Sequence, residues 1–521
     1  MSIKSWLEKL GNTHASDLDL RSRIGQAVMP RLDFRVNGAL ELAKKLVREF
    51  HVGGFIIFGG DIESVRSAVE ELQALSEVPL LFGCDAERGL GQIVSGGSIF
   101  PFTMALGAAG DEELVYSEAL FTAREMKECG FNLVFAPVLD VNSNSENPII
   151  NIRSYGDDPG LVSRMGGAFM KGCRDGGIFS CGKHFPGHGS AAADSHSELP
   201  VLTLTREELF GRDLEPFRSA IAEGVDMLMT AHVAIPGVAG SRDPATISGE
   251  VVNGILRREL DYDGVVITDS FHMSGINRLG DETGLSLRAL KAGCDIILDP
   301  RDPYTLLKGL NEAASEGTLN EEVVLKAAGR IISLKKSLPE GLSEITTQSK
   351  EKCRNLSRLI SEKSVSILRG RSLKPGRAIL CTFDVTESGQ DAAAVFAGRL
   401  RDAGVFFEEV NVTTSTDVSK LSCGAGDDAA LICLVFTTVG AWKRQFSLPD
   451  FMRAALDRLS SAPGESALVS FGSPYVVRGL DGFGTVICAF DSLPECQSAA
   501  ADVLLGNAAA VRDRAFAGAD R

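Results

Sequence analysis

Residues 183–200 carry the densest set of reactive side chains in the chain. Lys183-His184-Phe185-Pro186-Gly187-His188-Gly189 is followed by Asp194-Ser195-His196, so three of the seven histidines fall in a few residues. Asp194 and His196 lie two apart, and in an extended segment both point the same way. A carboxylate beside an imidazole favours the imidazolium, fixes its tautomer and orients its ring. That pairing suits a proton donor working near neutral pH. Asp269 ends the apolar run Gly264-Val265-Val266-Ile267-Thr268. A carboxylate at the mouth of a buried strand can be a nucleophile or a base, or the N-cap of the turn that follows.

Other apolar runs end in the same way. Asp85 follows Pro79–Cys84, and Asp140, Asn142 and Arg153 follow Phe131–Pro137. Lys183 and His184 follow Ile178–Gly182, His232 follows Asp226–Ala231, and Asp299 follows Asp295–Leu298. Asp140 is expected to orient the loop carrying Arg153, and Asp299, before Pro300, reads as a turn residue. His188 reads as support for its loop. With Ile24–Met29 and Gly54–Phe58 the runs number eight. They are continuous rather than alternating, as strands covered on both faces are. Helical patterns separate them: Asp111–Cys129, Pro159–Arg174, Arg206–Glu223 and Ser248–Leu260. Eight β-then-α units predict an α/β chain that opens on a (β/α)8 TIM-like barrel over residues 1–340, with its site at the C-terminal strand ends.

A charged helical stretch from Leu319 to Lys363 leads to further apolar runs: Ala378–Thr382, Val405–Val410, Ala430–Phe436, Ala467–Phe471 and Thr485–Ala489. These predict a smaller α/β sandwich domain over 350–521 with five or six strands.

Composition narrows the partners. The chain has 521 residues, 69 acidic against 53 basic, and a formal charge of −16. It repels phosphate backbones, so no nucleic-acid partner is expected, and it has little attraction to anionic membranes. Its polar first residues lack an apolar signal segment, and the uncharged run 89–110 is broken by Pro101 and repeated Gly and Ser, so it reads as a loop rather than a membrane span. Eleven cysteines, none in a C-x-x-C pair, suggest buried thiols in a cytoplasmic protein.

KHFPGHGSAAADSHSELP and GVVITDSFHMSGI together resemble glycoside hydrolase family 3. The first is similar to the histidine loop of its β-N-acetylglucosaminidase branch, the second to its nucleophile segment. MPRLD (29–33), GGFIIFGG (53–60), FAPVLDVN (135–142), RSYGDDP (153–159), MLMTAH (227–232) and PATIS (244–248) follow the family in order over roughly residues 20–340. SFGSPYVV and the run before CAFDS resemble its C-terminal domain. The resemblance implies a retaining exo-β-N-acetylglucosaminidase acting on cell-wall fragments or chitooligosaccharides, without cofactor or metal. Asp269 would be the nucleophile, His196 the acid/base and Asp194 its partner. Asp85, Arg153, Lys183, His184 and His232 would meet the sugar. The loop after the third strand departs from the family's DQEGG pattern. It reads Asp85-Ala86-Glu87-Arg88-Gly89-Leu90-Gly91-Gln92, and Ile93 holds a position where the family has a sugar-binding Arg, leaving Arg88 and Gln92 nearby.

Three alternatives stay open. A histidine acid/base puts no second anion beside the incoming nucleophile, so phosphate could replace water. His184, His188, Asp194 and His196 are also zinc-ligand types, although metal-dependent barrel hydrolases usually carry a His-x-His after the first strand, where this chain has Pro30-Arg31-Leu32-Asp33. A sugar-binding barrel without turnover would leave Asp194, His196 and Asp269 without a purpose.

Overall fold

The computed structural model describes residues 3–11, 13–192, 195, 198–342, 350–386, 391–418, 429–438 and 448–511. The chain divides into two compact units. The first comprises Met1–Ile99, Val115–Val141 and Val162–Cys353, and the second Phe100–Leu114, Asn142–Leu161 and Arg354–Arg521. Two stretches from within the first 340 residues thus group with the C-terminal part.

The first unit is built on parallel strands joined by helices. β1 (Val28–Met29) and β2 (Arg31–Asp33) flank Pro30. After them come β3 (Gly54–Phe58), β4 (Leu81–Cys84), β5 (Leu133–Val134), β6 (Phe179–Phe185), β7 (Met227–Thr230), β8 (Val265–Thr268) and β9 (Ile297–Leu298). Strands β2 to β8 form one seven-stranded parallel sheet in sequence order, and β1 pairs with β9. Thr268 N–H donates to Ile296 O at 2.9 Å, Ile297 N–H to Ala27 O at 2.8 Å, and Ile56 N–H to Pro30 O at 2.9 Å. A single cluster takes side chains from successive strands, among them Met29, Ile56, Leu81, Phe179, Met227 and Ile267. Burying these apolar faces drives the sheet to assemble. Trp6 closes the cluster, and its indole N–H donates to Lys335 O at 2.8 Å.

The first apolar run is read wrongly by its hydrophobicity. Leu20–Gln26 is a helix capped by Asp19, whose side chain accepts from Ser22 N–H, and the strand begins only at Val28. Gly25 sits where a Cβ would lie 1.7 Å from Phe50 O, so this helix needs glycine to pack. Ser248–Leu260 is helical over Glu250–Glu259, but with π-type i→i+5 bonding such as Leu260 N–H to Ile255 O. The uncharged run holds a helix, Thr103–Ala109.

The second unit centres on six strands: β10 (Ser366–Arg369), β11 (Arg377–Asp384), β12 (Phe406–Asn411), β13 (Ala430–Phe436), β14 (Ser466–Phe471) and β15 (Thr485–Cys488). Their order is β10-β15-β14-β13-β11-β12, parallel except for β10. Alternate residues of β11 and β13 feed two separate cores. Leu380, Ile432 and Leu434 pack with helices Ala394–Asp402 and Pro494–Leu504 on one face. Cys381, Phe383, Cys433 and Val435 pack with Asp450–Leu459 on the other. β10 has no strong apolar signature, so pattern reading passes over it. None of the described helices is long and apolar enough to cross a membrane.

Candidate active site

Of the polar residues expected at the strand ends, Asp85, Asp140, Lys183, His184, His232, Asp269 and Asp299 fall in the first unit, and Asn142 and Arg153 in the second. β6 carries the apolar Phe179-Ser180-Cys181 into the core and ends on Lys183, His184 and Phe185. Lys183 is almost wholly buried, and its ammonium lies 2.6 Å from Asp85 Oδ1 and 2.7 Å from Glu87 Oε1. Two carboxylates around one buried cation compensate its lost hydration and fix its position. Sequence reading found Lys183 and Asp85 but not Glu87, whose pairing spans almost a hundred residues and leaves no local signal. Arg88 N–H donates to Gln92 Oε1 at 3.2 Å.

Asp140 is fully buried and holds the histidine segment. Its Oδ2 accepts from His184 Nδ1 at 2.6 Å and its Oδ1 from His188 N–H at 2.6 Å, with the His184 N–H at 3.3 Å from both oxygens. Burial alone would raise this carboxyl, but the His184 ring and the N–H donors outweigh it and hold Asp140 below the usual carboxylate range. Asp140 thereby holds both histidines of the segment in place. His188 Nε2 lies 2.8 Å from Ser195 Oγ. Burial lowers His188 to about 4, against the opposing pull of Asp140, so its ring is neutral near pH 7 and serves as support.

Asp269 follows β8 and is partly exposed. Its own N–H donates to Thr230 O at 3.1 Å, and its Oδ1 accepts from Ser270 N–H at 2.7 Å. The next α-helix, Ser274–Asn277, is capped at Met273, so Asp269 is not its N-cap. His232 is fully buried, with Nδ1 2.8 Å from Thr246 Oγ1 and Nε2 3.1 Å from Ser270 O. Both ring nitrogens are therefore taken, so His232 supports the backbone beside Asp269 rather than reaching for a ligand. Asp299, read as a turn residue, is fully buried and accepts from Arg31 and Ser270.

Arg153 belongs to the second unit, on a short 3₁₀ turn, Asn151–Arg153, where its Nη1 donates to Ile149 O at 3.1 Å. Asp194 and His196 lie outside the described residues.

A buried lysine, an oriented imidazole and a partly exposed carboxylate stand at the ends of β6 and β8, where they can bind hydroxyl groups and present an anion for attack. The thiols there take no part: burial pushes Cys84 and Cys181 up, away from thiolate. Among the described residues, no three His, Cys, Asp or Glu side chains are grouped to hold a metal ion.

The glycosyl hydrolase family 3 N-terminal domain model matches residues 19–334. A β-hexosaminidase A of Pseudoalteromonas piscicida is 31% identical over 63% of this chain and 61% of its own. The match thus spans less than two thirds of that relative. A β-hexosaminidase of Thiobacillus denitrificans is 37% identical over 47% of this chain and 71% of its own. In three dimensions, a glycoside hydrolase family 3 β-N-acetylglucosaminidase from Paenibacillus sp. FPU-7 superposes with a TM-score of 0.82. It is 31% identical, covering 96% of this chain and 99% of that one.

Proposed function

Because the chain belongs to glycoside hydrolase family 3, we propose that it is a retaining exo-β-N-acetylglucosaminidase that releases terminal β-linked N-acetylglucosamine. The observation that carries this reading is Asp269: a partly exposed carboxylate after β8, held at one oxygen by the Ser270 N–H at 2.7 Å, in the same unit as the Asp140-oriented His184. The names of the relatives supply the sugar. In this reading β1 to β9 make one (β/α)8 barrel, and the second unit is the α/β sandwich domain.

In the first step, Asp269 attacks the anomeric carbon and the bond to the leaving oxygen breaks, giving a covalent glycosyl-enzyme. His196, paired with Asp194, gives its proton to that oxygen. In the second step His196 takes a proton from water, which displaces Asp269 with a second inversion. Lys183 and His184 donate to sugar hydroxyls, while Asp85 holds Lys183 and accepts from them. His232 acts through Ser270. The donor is a cell-wall fragment or a chitooligosaccharide, and the site of action is cytoplasmic.

The test compares kcat/KM for nitrophenyl β-N-acetylglucosaminide and β-glucoside, with products analysed with and without phosphate. The proposal expects a strong preference for the N-acetyl sugar and free N-acetylglucosamine in both buffers. Equal or reversed values refute the sugar assignment. A sugar phosphate formed only with phosphate present refutes hydrolysis in favour of phosphorolysis.

A further inference from the structure

Ser270, the residue after Asp269, is tied down at every polar atom. Its N–H donates to Asp269 Oδ1 at 2.7 Å, its hydroxyl donates to Asp299 Oδ2 at 2.6 Å, and its carbonyl accepts from His232 Nε2 at 3.1 Å. Asp299 is fully buried and has φ of 54°, a left-handed conformation uncommon for a non-glycine residue. Arg31, 268 positions earlier in the chain, grips both of its oxygens with a guanidinium fork, Nε to Oδ1 at 2.7 Å and Nη2 to Oδ2 at 2.6 Å. Such bidentate pairs fix geometry as well as charge. The Arg31 guanidinium also lies 4.7 Å from the centre of the Phe58 ring, so it is held from a second side.

A stabilising role does not account for this arrangement well. β1 and β9 are already joined through backbone hydrogen bonds, and a buried ion pair loses in desolvation much of what it gains in attraction. What the pair adds is direction. It fixes a hydroxyl whose own backbone N–H points at the carboxylate of Asp269.

We propose that Arg31, Asp299 and Ser270 are positioning residues for Asp269: the ion pair fixes Ser270, and the Ser270 N–H fixes one oxygen of the attacking carboxylate. This rests on Asp269 being the nucleophile. An N–H donor on a carboxylate favours its anion and limits its rotation. Loosening Ser270 therefore raises the pKa of Asp269 and spreads its orientations. Among the described residues, the charged and titratable groups around it include Asp299, Arg31 and His272 on one side, His232 beneath Ser270, and Cys181 and His188 from the β6 side.

The experiment uses the full chain with Ser270→Ala, Ser270→Thr and Asp299→Asn. It measures kcat, KM, the acidic limb of the kcat/KM profile and Tm. For Ser270→Ala, kcat falls about 10- to 100-fold with KM little changed, and the acidic limb moves up by roughly half to one pH unit. Ser270→Thr, which keeps the hydroxyl, recovers most of that loss. Ser270→Ala combined with Asp299→Asn loses little more than the worse single variant, because both act through one path. A Ser270→Ala enzyme with unchanged kcat and acidic limb, or one that loses only Tm, overturns the proposal. If Asp299→Asn fails to fold, the Ser270 pair still decides. If the unmodified chain turns over no β-glycoside, the functional reading fails on its own. The positioning role is then read from the ¹³Cγ titration of Asp269, and an identical midpoint in the unmodified chain and Ser270→Ala refutes it.

Discussion

The two units use parallel strands to opposite ends. In the first, ionisable side chains are buried at the strand ends: Glu87, Asp140, Lys183 and Asp299 are each less than a tenth exposed. In the second, the described residues bury one carboxylate, Asp491, and no basic side chain, while both faces of the sheet are filled with aliphatic and aromatic groups. Burying charge costs free energy unless it is paired. The first unit carries that cost in paired groups at the strand ends, and the second builds a core. Substitutions among the strand-end residues of the first unit should therefore cost activity, and those in the core of the second stability alone.

Asp140→Asn should show the largest effect. It leaves the His184 ring and the His188 N–H without an anionic acceptor. The expected outcome is a fall in kcat/KM on the order of 100-fold and a loss of about 3–5 kcal/mol of stability. Steady-state kinetics and chemical denaturation measure the two separately. Leu434→Ala on β13, fully buried, should cost about 2–5 kcal/mol through the cavity it leaves. The fraction that stays folded should keep its kcat/KM. A Leu434→Ala enzyme that is stable but slow would break the contrast between the units.

The smallest effect is a slope in pH. Burial lifts Glu118 from 4.5 to about 8, only partly offset by the Thr122 hydroxyl. Between those values the folded chain keeps a proton that the unfolded chain has lost, so this group makes stability fall as pH rises. Burial lowers Lys335 from 10.5 to about 7. From 7 to 10.5 the unfolded chain keeps the extra proton, so this group makes stability rise with pH. Denaturation midpoints from pH 5 to 10 should show Glu118→Gln flattening the lower part of the curve and Lys335→Met the upper part. The same slopes in the unmodified chain and in both variants would show that neither group titrates as its burial implies.

Seven of the eight strands expected in the first unit are legible as continuous apolar runs, and so are the polar residues at their ends. The exception is instructive. Ile24 lies in the same apolar stretch as Val28, but Gly25 packs a helix against Phe50, and hydrophobicity alone cannot separate a short buried helix from a strand. What local reading missed at the site are pairings over long separations: Glu87 with Lys183, Asp140 with His184 and Arg31 with Asp299. Each partner was visible, but its pairing depends on how strands far apart in sequence are brought together. β10 escaped because an edge strand has one neighbour and little apolar pattern.

The central claim is that Asp269 forms a covalent bond to the sugar. A slow fluorinated N-acetylglucosaminide should leave one sugar mass on the chain, mapped by peptide sequencing to Asp269. Asp269→Ala should lose several orders of magnitude in turnover, still bind the sugar and take up no label. A sugar mass on any other residue, or none while Asp269→Ala keeps its activity, would contradict the account.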